Sequence, residues 1–183
     1  MKKIFLTILI LGVFSSNAQT STNNAQGTQN MFTANIIMPG LRYEVGLTSK
    51  TSLSVGVGTG FAWVYSDASG SEYGIFPNFE GAYRYYYNFR RRKQKGKRIA
   101  NNSGNYLALS SYLSIGDPLI GDLETRSDYN GVVGPVWGIQ RTYESKLNWN
   151  LELGVGYGFN DKETYISPIA SFSIGWTFGK DAN

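Results

Sequence analysis

A chain of 183 residues is long enough for one domain, and without cysteine or histidine it has no disulfide, no thiol chemistry, no Ser-His-Asp machinery and no imidazole metal ligand. Its 17 basic and 13 acidic residues give a formal charge of +4, too close to neutral to indicate a nucleic-acid partner. The 22 glycines, 13 tyrosines and 10 phenylalanines favour tightly packed β structure over helix.

The first segment in chain order is a targeting element. Lys2 and Lys3 precede an apolar run from Ile4 to Phe14, and Ser15-Ser16-Asn17-Ala18 supplies small residues for cleavage, so residues 1–18 read as a secretory signal peptide. The run is too short to span a bilayer with ease. Cleavage removes Lys2 and Lys3 and brings the chain still closer to neutrality. Residues 19–30 are polar and low in complexity, which predicts a flexible leader. The remaining 31–183 are expected to form one barrel domain.

From residue 31 the hydrophobic period is two. Strands are predicted near 41–48, 52–65, 74–89, 105–115, 131–143, 148–159 and 166–178. An eighth, near 31–38, precedes a turn at Met38-Pro39-Gly40, which otherwise reads as a bulge within one long first strand. The even strand counts of single-chain bacterial barrels favour two strands there. In 52–65, Leu53, Val55, Val57, Thr59, Phe61, Trp63 and Tyr65 share one face, and Ser54, Gly56, Gly58, Gly60 and Ala62 share the other. Trp149 to Phe159 repeats the pattern, and so does Ala170 to Phe178.

The small face is nearly uncharged and would make a poor solvent face. It suits the lumen of a narrow barrel, which has room only for closely packed side chains. The apolar face then meets lipid, with aromatics near the strand ends. Parity turns Arg42, Glu44, Glu80, Arg84 and Glu152 inward, opposite Tyr43, Val45, Phe79, Tyr83, Tyr85, Tyr87 and Phe89. Buried charges need partners, so these five are expected to form a salt-bridge network that plugs the lumen. Arg141 shares the parity of Trp137 and Ile139 and is expected to snorkel to the interface.

Two loops stand out. The stretch 116–130 carries Asp117, Asp122, Glu124 and Asp128 against Arg126, but the spacing fits no calcium motif, so it reads as a solvated loop and no metal is expected. The segment from 90 to 98 contains Arg90, Arg91, Arg92, Lys93, Lys95, Lys97 and Arg98. An exported barrel meets little nucleic acid, which leaves contact with anionic lipid headgroups or a solvated turn. Gly56 to Gly60 lacks the lysine and the helix of a phosphate loop and reads as strand.

The signal, the short hairpins and the aromatic closing strand SFSIGWTF make residues 31–179 resemble the small outer-membrane β-barrel families, in the broad OmpA/OmpX-like sense. The stretches RYYYNFRRRKQKGKR, NNSGNYLALSSY and GPVWGIQRTY are similar to those of barrel proteins known by fold alone. The resemblance implies an all-β protein, a single antiparallel up-and-down transmembrane β-barrel of about eight strands, in the outer membrane of a Gram-negative bacterium. It implies location and architecture, not an activity. Enzymes among such barrels rely on a histidine base, which this chain lacks. A carboxylate pair such as Glu44 and Glu80 has the chemistry for acid–base work, but neighbouring arginines make packing the simpler account. The expectation is therefore a non-enzymatic envelope protein without cofactor. Its partners would be outer-membrane lipids and, at the loops, an envelope protein. The alternatives are a narrow pore for small solutes and a soluble secreted barrel that binds an apolar ligand.

Overall fold

The computed structural model describes residues 27–67, 70–123 and 127–179, so the expected signal peptide lies outside the described residues. The strands are β1 (Met31–Asn35), β2 (Gly40–Gly46), β3 (Thr51–Ser66), β4 (Gly70–Tyr85), β5 (Gly104–Ile115), β6 (Ile120–Gly121), β7 (Tyr129–Thr142), β8 (Leu147–Asn160) and β9 (Thr164–Gly179). One short helix, α1 (Phe89–Gln94), separates β4 from β5. Every pairing is antiparallel, and the sheet runs β3-β2-β1-β9-β8-β7-β5-β4. Because β3 also pairs with β4, it closes into a barrel-like ring of eight strands. The two residues of β6 pair with Gly74 and Ile75 of β4, a small addition within the loop 116–130 that period-two reading does not reveal.

The ring has a low side. β1 and β2 have 5 and 7 residues, whereas β3, β4 and β9 have 16 each. A turn over 36–39 joins β1 to β2, with Asn35 opposite Gly40. At the top of this hairpin, Thr59 N donates to Pro39 O at 3.0 Å and Ile36 N donates to Ile174 O at 2.9 Å.

The period-two pattern sorts the faces as polar in and apolar out. Phe32, Tyr43, Val55, Trp63, Tyr83, Leu109, Val155, Phe172 and Phe178 are all exposed on the outer surface. Among the described strand residues, Arg141 is the one charged side chain at an outward position. The end where the chain enters β1 also carries α1 and is called the lower end here.

β4 departs from the predicted strand 74–89. It stops at Tyr85, and Phe89, expected outward, is only 3 % exposed. Phe89 stacks on the fully buried Tyr86 with ring centroids 4.6 Å apart. The reason is local: unbranched Arg, Lys and Gln at 90–94 favour helix, and the helix lets Phe89 turn under the ring and bury its apolar surface. Asn88 Oδ1 accepts from Asn105 N at 2.9 Å and ties the corner to β5. The chain then returns through Ile99, Ala100, Asn101, Asn102 and Ser103, all buried. Asn101 and Asn102 take φ of 50° and 56°, the left-handed region that asparagine tolerates better than most residues. Together α1 and this return segment stopper the lower end. The last leader residues dock on it: Gln29 N donates to Asn102 Oδ1 at 2.7 Å, and Asn102 Nδ2 donates back to Gln29 O at 2.9 Å.

Candidate functional site: a charged lumen and a basic rim

The five inward charges converge in two groups. Arg42 on β2 and Glu80 on β4 both lie opposite Gly56 of β3. They meet across that glycine, with Arg42 Nε 2.5 Å from Glu80 Oε1 and Nη2 3.2 Å from Oε2. A Cβ at Gly56 would lie 2.5 Å from Glu80 Oε1, so the glycine is what leaves room for the pair. Arg84 forms the second group. Its Nη1 donates to Glu44 Oε2 at 3.1 Å and its Nη2 to Glu152 Oε1 at 3.0 Å. All three of these side chains are at least 98 % buried.

Neutral donors complete both acids. Glu44 accepts from Ser52 Oγ at 2.6 Å, Tyr86 OH at 2.8 Å and Asn102 Nδ2 at 2.8 Å. Glu152 accepts from Tyr106 OH at 2.7 Å, Ser110 Oγ at 3.0 Å and Tyr112 OH at 2.6 Å. Tyr106 and Glu152 repeat the bridging arrangement, since both lie opposite Gly138, where a Cβ would overlap the Tyr106 ring. Gln140 Oε1 accepts from Arg84 at 3.1 Å, and Arg84 also lies over the Tyr106 ring, 4.8 Å from its centroid. Three acids face two arginines, but the hydroxyl and amide donors spread the excess charge.

The glycine and serine face thus makes space for long side chains from flanking strands. One cavity beside Glu80, Arg84, Tyr112 and Glu152 has a volume of about 10 Å³, about enough for one water. Such an array ties β2, β3, β4, β5, β7 and β8 together across the lumen. Replacing Tyr112 with phenylalanine removes one donor to a charged acceptor. The expected loss is about 1.5 kcal/mol, read as a lower urea midpoint at unchanged slope; an unchanged midpoint would mean that water replaces the hydroxyl.

Parity with charge singles out the five charged residues but not Tyr86, Tyr106, Tyr112, Gln140 and Asn102. Tyr106, Tyr112 and Gln140 follow the inward parity of their strands, and Tyr86, one residue past β4, continues that of β4, so the signal is in the sequence. Asn102 lies in the return segment, where no period exists.

The basic segment divides. Arg90, Arg91, Lys93, Lys95 and Lys97 are exposed, whereas Arg92 and Arg98 are partly buried. Arg92 Nε and Nη2 both donate to Arg98 O, at 3.1 and 2.8 Å, folding residues 95–98 back along α1. Arg141 joins this region from β7. Its Nη1 donates to Gly104 O at 2.8 Å and to Gln140 O at 2.7 Å, and its Nη2 to Asn105 Oδ1 at 2.6 Å. Among the described residues, no group of three or more acids is placed to hold a metal ion.

Comparison with models of known families, with curated proteins and with solved structures finds no match for this chain.

Proposed function

We propose that the protein is a non-enzymatic β-barrel of a Gram-negative outer membrane, exported by a cleaved signal peptide, with a structural or interaction role in the cell envelope and a closed lumen. The observation that carries this reading is the inversion of the faces. Large apolar side chains cover the outside of the ring, while Arg42, Glu44, Arg84 and Glu152 are buried inside it. A closed sheet satisfies its ladder hydrogen bonds without water, which suits strands to a hydrocarbon environment. Tyr83, Tyr85, Trp176 and Phe178 gather toward the lower end and Trp63, Tyr65 and Tyr73 toward the upper, as interfacial girdles do.

The packed centre favours a closed lumen over a pore, and its charges favour a structural filling over an apolar ligand site. The loops are where an envelope protein would dock. A quenching experiment tests the membrane reading. Trp63, Trp137, Trp149 and Trp176 all take outward positions, so in vesicles carrying brominated acyl chains their fluorescence is expected to fall strongly, with little quenching by aqueous iodide. Strong iodide quenching without bromine quenching would instead place these faces in water and overturn the proposal.

A further inference from the structure

We propose that a groove at the lower rim binds the phosphate of a glycerophospholipid headgroup through Arg92, Arg98 and Arg141; this rests on the membrane reading above. The groove has a volume of about 480 Å³ and lies between α1 and the end of β7, lined by the three arginines with Thr142, Tyr143 and Glu144 among others. Three cations face one carboxylate there. None of the three is within ion-pair distance of an acid among the described residues.

Arg92 and Arg141 are held by backbone carbonyls and an asparagine side chain, which fix their geometry without cancelling charge. Arg98 differs. Its Nε is shut off from water and has no hydrogen-bond partner. The side chain as a whole is partly exposed and lines the groove, so it is the remainder of the guanidinium that is open to a ligand. An oxyanion with several acceptor oxygens is the complement to such guanidinium forks.

Position favours a lipid over a free anion. Arg141 leaves the outward face of β7, so the groove borders the apolar belt. Next to it Tyr143 is exposed, and its hydroxyl accepts from Trp149 Nε1 at 3.3 Å. Aromatic residues with one polar end mark the depth of lipid headgroups. A phosphate anchored there would neutralise the arginines while its acyl chains lie along the outer wall. The exposed lysines of the same segment would add only diffuse attraction.

The test uses the full barrel folded in maltoside micelles, which carry no phosphate, titrated with short-chain phosphatidylglycerol and, separately, with inorganic phosphate, while Trp149 fluorescence is followed. Saturable binding of the lipid is expected, with inorganic phosphate far weaker. Arg98→Gln is expected to weaken lipid binding about tenfold or more, since this side chain has no structural bond to lose. The exposed triple variant K93Q/K95Q/K97Q, which removes more charge, should change it little. Equal losses in the two variants would reduce the groove to diffuse electrostatics and overturn the proposal. Inorganic phosphate binding as tightly as the lipid would overturn the lipid assignment. A chain that fails to fold in the micelles would overturn the membrane reading and the assignment with it, whereas a folded barrel without a saturable site would overturn the groove alone.

Discussion

Replacing Arg84 with methionine is expected to destabilise the folded barrel by about 3–5 kcal/mol, the cost of leaving buried charge uncompensated. Arg84 is the hub of the lumen, paired with Glu44 and Glu152 and bonded to Gln140. Methionine keeps much of its volume and removes its charge, leaving two buried carboxylates facing each other with hydroxyl and amide donors alone. Urea unfolding from vesicles measures the loss. The combination E44Q/R84M/E152Q separates charge from packing. If uncompensated charge is the cause, the triple variant recovers most of the stability, because a neutral set of similar shape carries no desolvation debt. A loss below about 1 kcal/mol for the single variant would mean that water reaches the network.

The outer wall gives the second large effect. Leu109, in the middle of β5, is 57 % exposed. Leu109→Arg is expected to cost about 2–4 kcal/mol in vesicles, the penalty for arginine near the midplane of a bilayer. In water the same surface change would stay within about 0.5 kcal/mol. The size of the effect therefore distinguishes a lipid-facing wall from a wet one. Arg141, already on the outer face, shows what an outward arginine needs: it sits at a strand end and spends its donors on Gly104, Gln140 and Asn105.

Much of this architecture was legible because a strand has only two faces. Once Leu53, Val55 and Val57 define one face of β3, every residue to Tyr65 is assigned by counting. The same parity turned Arg42, Glu44, Glu80, Arg84 and Glu152 inward. Counting does not say which acid meets which arginine. That depends on register across strands, as where Gly56 lies between Arg42 and Glu80. It also fails where the period stops. The run from Arg90 to Arg98 has no alternation; its unbranched residues favour helix only weakly, and they announce neither the burial of Phe89 beside them nor the distinction between Arg92 and its exposed neighbours. The left-handed Asn101 and Asn102 depend on packing beneath the ring, and the groove lined by Arg92, Arg98 and Arg141 joins segments that only the closed sheet brings together.

Ring closure also sets an order of events in time. The seam is the pairing of β1 with β9, five register pairs from Met31 opposite Gly179 to Asn35 opposite Gly175. The first strand of the ring therefore waits for the last, across nearly the whole chain. Contacts so distant in sequence slow folding even when their entropic cost grows only gently with separation. Until β9 arrives, β1 and β8 each present an open edge, the condition that invites pairing with other chains. A chaperone that escorts this polypeptide has to shield two edges rather than one hydrophobic patch, and it can release them only after residue 179 has emerged.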